Sequence, residues 1–81
     1  MEKNTVDRYW NTLTSLYGLV QAQLNNTEKS FEAYNKVLKN DPLNVGTILR
    51  RALLWMKTGE YDKAWDDLQK AVILEPENHR I

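Results

Sequence analysis

Apolar side chains recur along this chain at steps of three and four, the spacing of one face of an α-helix. Residues 59–76, GEYDKAWDDLQKAVILEP, show it most clearly: Ala64, Trp65, Leu68, Ala71 and Val72 form one stripe between a breaking Gly59 and a terminating Pro76. Val6, Trp10, Leu13, Tyr17, Val20 and Leu24 describe an earlier and longer helix, with Thr5 placed to cap it and Asp7 near the positive end of its dipole. Asn25 and Asn26 interrupt that pattern, one suited to a left-handed turn and the other to capping the next helix. Phe31, Tyr34, Val37 and Leu38 give that next helix its buried face, and Asp41-Pro42 stops it. Asn44 is placed to cap a third helix, whose apolar members Ile48, Leu49, Ala52, Leu53, Leu54, Trp55 and Met56 exceed one stripe and predict cover on two sides. The pattern therefore predicts an all-α fold. Its helices fall at about residues 5–24, 27–40, 44–58 and 61–75, paired as two antiparallel helix-turn-helix hairpins.

The two hairpins repeat each other. Moved back until Pro76 falls on Pro42, residues 59–76 land on residues 25–42, NNTEKSFEAYNKVLKNDP, and the two stretches fit. Lys29 falls on Lys63, Ser30 on Ala64, Phe31 on Trp65, Tyr34 on Leu68, Lys36 on Lys70 and Val37 on Ala71. Gly18 and Ala52 are small where the helices of a hairpin would cross, and Ser30 and Ala64 are small on the opposing helix, so the backbones are expected to approach closely. Phe31 and Trp65 are expected to fill the space beside those crossings. One domain covers residues 1–81, with an extension at 1–10, repeats at 11–44 and 45–78, and a tail at 79–81.

Each unit resembles a tetratricopeptide repeat, a helix-turn-helix unit of α-solenoids. In the second unit the match rests on Ile48, Ala52, Trp55, Gly59, Tyr61, Ala64, Leu68, Ala71 and Pro76; in the first, on Gly18, Ser30, Phe31, Tyr34, Val37 and Pro42. Thr14, Gln21, Asn25, Thr27 and Arg51 depart from the pattern. The resemblance implies a concave groove, lined by the first helix of each unit, in which peptides lie. Carried over by position, the groove side comprises Thr12, Ser15, Leu19, Ala22 and Gln23 from the first unit, and Gly46, Leu49, Arg50, Leu53, Met56 and Lys57 from the second. One subset of the family clamps chaperone carboxylates with lysines and asparagines. Here Ser15 and Gly46 replace clamp lysines and Leu19 and Leu53 replace asparagines, which disfavours that ligand even though Arg50 keeps one clamp position.

Composition narrows the function further. Eleven basic and eleven acidic residues sum to a net charge of +0, so there is no bulk attraction to nucleic acid or to an anionic membrane. There is no cysteine, and no apolar run nears the roughly 20 residues that cross a bilayer. Without a visible targeting signal, a cytoplasmic location is the default expectation. The single histidine, His79, has no second histidine with which to form a metal or catalytic pair. Asp62, Asp66 and Asp67 could suggest a carboxylate site, but adjacent helical positions diverge, and Asp62 and Asp66 more simply fit a solvated face beside Lys63 and Lys70. Trp10, Trp55 and Trp65 fit a core. Arg51, in place of a core residue, is expected to pair inside the chain, to snorkel, or to reach a partner's carboxylate.

No enzyme activity and no cofactor are expected. The expected partner is a protein or peptide held in the groove, or a second copy of the chain. Leu19, Leu49, Leu53 and Met56 suit an apolar or amphipathic segment, or else pack against one another. Repeat arrays bury their core by stacking, and about three units are usual. Leu68, Ala71, Val72, Ile73 and Leu74 on the last helix are therefore expected to meet a neighbour, with self-association favoured over a place in a longer array and over a monomer closed by its overhanging first helix.

Overall fold

The computed structural model describes residues 2–74, with side chains described from Tyr9 onward. The expected stop at Pro76, His79 and the tail at 79–81 lie outside the described residues. Four helices follow in order: α1 (Glu2–Gln23), α2 (Thr27–Asn40), α3 (Val45–Lys57) and α4 (Tyr61–Leu74). Two hairpins result, α1 with α2 and α3 with α4, joined chiefly by packing of α2 on α3. The described residues contain no strand. Helix α1 starts at Glu2, ahead of the expected position, so Thr5 lies inside it rather than capping it. Residues 2–4, Glu-Lys-Asn, include no helix breaker, and an acidic Glu2 suits the helix start.

Both hairpins turn through the same hydrogen-bond pattern. Asn26 N–H donates to the Gln21 carbonyl (2.8 Å) and Asn25 N–H to Ala22 (3.1 Å); at the matching place in the second hairpin, Glu60 N–H donates to Trp55 (2.8 Å) and Gly59 N–H to Met56 (3.1 Å). This is the six-to-one and five-to-two pairing of a Schellman end, which needs a left-handed residue. Asn25 (φ 65°) and Gly59 (φ 84°) supply it. Asn26 occupies the cap of α2 but spends its side chain on Gln21 Oε1 (2.7 Å). Asn44 caps α3 as expected, accepting from Thr47 N–H (3.0 Å).

The first crossing is tight because its residues are small. Ser30 Oγ donates to the Gly18 carbonyl at 2.7 Å, and a Cβ added at Gly18 would stand 2.6 Å from the Tyr34 ring. Ala52 and Ala64 are the buried counterparts in the second hairpin. Tyr34, Val37, Ile48, Ala52 and Leu54 make up most of a thin apolar core.

The core departs from the apolar stripes in two places, the second of which corrects the expectation that Trp65 is core. Leu13, Tyr17, Val20 and Leu24 are exposed, and α1 instead buries Ser15 and Gly18. Helix α1 packs on α2 along one side and only touches α3, so its small residues face the crossing and its large apolar stripe faces outward. Trp65 is also exposed, because among the described residues α4 packs only on α3. Phe31, its counterpart, is half-buried against Trp55 with ring centroids 4.3 Å apart.

Arg51 is a tie between three helices. Its Nε and Nη2 donate to Asp67 Oδ2 and Oδ1, each at 2.9 Å, while Nη1 donates to Asn35 Oδ1 at 2.9 Å. The internal pair is thus the alternative that the structure adopts. Asp67 is 2% exposed, although its sequence neighbours Asp62 and Asp66 are solvated. It sits between Ala64 and Ala71 on the buried stripe of α4, the spacing that signals its position.

Candidate functional site

Six of the residues expected to line the groove surround a hollow between α1 and α3, and Thr12, Ser15, Gly46, Leu49 and Met56 lie outside it. Leu19 and Ala22 of α1 face Arg50, Leu53 and Lys57 of α3 around a hollow of about 180 Å³, with Gln23 at its edge and Tyr34 and Leu54 in its wall. Helix periodicity places these side chains there: Leu19, Ala22 and Gln23 share one face of α1, as Arg50, Leu53 and Lys57 share one face of α3. Leu49, Leu53 and Met56 are exposed and follow one another at four and three, an open apolar ridge on α3.

Polar groups tie the two walls together. Thr47 Oγ1 and Arg50 Nη1 both donate to Ser15 Oγ, at 2.8 and 2.9 Å. Ser15 is therefore buried beneath the groove rather than presented in it. Lys57 Nζ donates to the Ala22 carbonyl at 2.7 Å, bridging the mouth from α3 to α1. Tyr34 lines the same hollow, its hydroxyl held above the usual phenol range by burial, against the opposing pull of a Ser30 hydrogen bond and the Arg50 charge. Its phenol is neutral at pH 7, and the cations around the hollow are Arg50 and Lys57.

A second surface lies on α4. Trp65, Leu68, Gln69, Val72 and Ile73 line a shallow depression of about 460 Å³. Leu68, Val72 and Ile73 are the members of the expected face that line it. Ala71 is buried inside the hairpin and Leu74 is half-buried outside the depression, so neither contributes to it. Trp65 joins this surface against expectation, because an aromatic on a helical stripe reads as core. Its place in the repeat, equivalent to Phe31 but on a helix that only α3 packs against among the described residues, is the signal that puts it outside.

Among the described residues no three histidine, cysteine, aspartate or glutamate side chains are grouped to hold a metal, and no helix is long and apolar enough to cross a membrane. No family model matches the chain.

Proposed function

We propose that this chain is a protein-interaction module that holds an apolar or amphipathic segment of a protein partner along the groove between α1 and α3. The convergence of Leu19, Ala22, Arg50, Leu53 and Lys57 on one hollow carries this reading. The exposed ridge Leu49, Leu53, Met56 supplies apolar area and, in Met56, a side chain that adapts to varied partners. Arg50 and Lys57 add cations suited to an acidic side chain or to backbone carbonyls of the bound segment. The internal repeat and the paired hairpins support a tetratricopeptide-like unit, in which this face is the peptide-binding one.

A peptide display library selected on the protein provides the test. Selected peptides are expected to share apolar residues, and Leu53→Glu is expected to weaken them by a factor of about ten or more, as for a central interface residue. Undiminished binding by Leu53→Glu contradicts the reading.

Self-association is the second reading, favoured by the exposure of Trp65, Val72 and Ile73 together on one helix.

A further inference from the structure

The interface between the two hairpins is present once inside the chain, and among the described residues the repeat equivalents of its two halves are left exposed. Within the chain, α2 offers Phe31, Tyr34 and Asn35 to α3: Phe31 stacks on Trp55, Asn35 accepts from Arg51, and Tyr34 and Leu54 line the same hollow. One repeat later, those three positions become Trp65, Leu68 and Gln69, which line the open depression on α4.

The receiving half is duplicated in the same way. On α3 the positions turned toward the first hairpin include Thr47, Arg51 and Leu54, and Thr47 and Leu54 are 0% and 2% exposed. Their counterparts on α1 are Leu13, Tyr17 and Val20, at 55%, 51% and 49%. Leu13 and Tyr17 are more apolar than Thr47 and Arg51, and Val20 matches Leu54 as an aliphatic, yet all three are exposed; the counterpart of Trp55 is the polar Gln21.

We propose that copies of this chain stack head to tail, the α4 face of one copy seating on the α1 face of the next in the register that α2 and α3 already adopt, with Trp65 and Leu68 meeting Leu13, Tyr17 and Val20. This rests on the self-association reading and adds the receiving face, which the last helix alone does not identify. A second copy is the occupant because the same chain supplies both halves of a joint that it has already formed once. The match extends to charge. From Tyr9 to Leu24 the chain has no charged residue, so α1 buries its outer face without stranding an ion. The donor and acceptor faces differ, so the contact is heterologous and does not close at two copies.

Sedimentation of the whole chain, from low micromolar to millimolar concentration, tests this with Val20→Glu and Val72→Glu. Both side chains are about half exposed, and circular dichroism checks that each variant folds; Tyr17→Glu and Ile73→Glu replace either variant that does not. The native chain is expected to grow past the dimer as concentration rises. Each variant alone is expected to stay monomeric, and an equimolar mixture of the two to stop at the dimer, because only one intact joint remains. A Val20→Glu protein that dimerises while Val72→Glu does not, with no dimer gained on mixing, means α4 pairs with itself and overturns the head-to-tail joint while leaving self-association standing. A native chain that is monomeric throughout overturns both.

Discussion

Arg51 grips Asp67 through two parallel bonds of 2.9 Å, and a third bond from the same guanidinium reaches Asn35 on a different helix. One planar group thereby joins α3 to α4 within a hairpin and to α2 across hairpins. Removing the arginine leaves a buried carboxylate without a partner, whereas removing both charges leaves only a gap.

Arg51→Leu is accordingly expected to cost about 3–5 kcal/mol in urea unfolding, the usual loss when one partner of a buried pair is deleted. Arg51→Leu combined with Asp67→Leu is expected to regain most of that loss, since two apolar side chains then pack together. A double variant as unstable as the single one contradicts the role assigned to the pair.

Gly18 and Gly46 separate steric demand from helix propensity. An added Cβ at Gly18 meets the buried Tyr34 ring at 2.6 Å, whereas at Gly46 its nearest neighbours are 3.7 Å away. Gly18→Ala is expected to lower stability by about 1–3 kcal/mol through overpacking, against a gain in helix propensity of about 1 kcal/mol. Gly46→Ala keeps the gain alone and is expected to melt higher. Thermal unfolding of the two variants checks the contrast, and a rise for both argues against the close crossing.

Tyr34 makes stability fall at alkaline pH. Burial raises its folded-state pKa above the ordinary value of 10.0, so the unfolded chain releases this proton first. Its contribution is complete below pH about 10 and declines as pH rises through the folded value. Urea melts across that range should show a shallower alkaline loss for Tyr34→Phe than for the native chain; equal slopes contradict the assignment.

The repeat is the most legible feature of the sequence, and the structure reproduces it down to the two Schellman turns at Asn25 and Gly59. Helix boundaries follow from Asn44, Asp41-Pro42 and Gly59, each a local signal that acts on its own backbone. Which apolar residues are buried is less legible. Periodicity names a stripe but not the neighbour that covers it, and among the described residues α1 and α4 each have too few neighbours to cover theirs; hence Tyr17 and Val20 stand exposed, as does Trp65, which the stripe alone reads as core. Asp67 is hidden for the converse reason, since a charge reads as exposed until its partner is located, and Arg51 lies far off in sequence on another helix. At the groove, position alone brings Leu19, Arg50, Leu53 and Lys57 together, while the burial of Ser15 depends on Thr47 and Arg50 reaching it from α3.

The most direct test of the groove reading is a nuclear magnetic resonance titration of isotope-labelled Val72→Glu protein, whose α4 face is blocked, with a display-selected peptide. The largest amide shifts are expected at Leu19, Ala22, Arg50, Leu53 and Lys57, with Trp65 and Ile73 unmoved. Shifts confined to α4, or scattered without regard to the groove, would contradict the account.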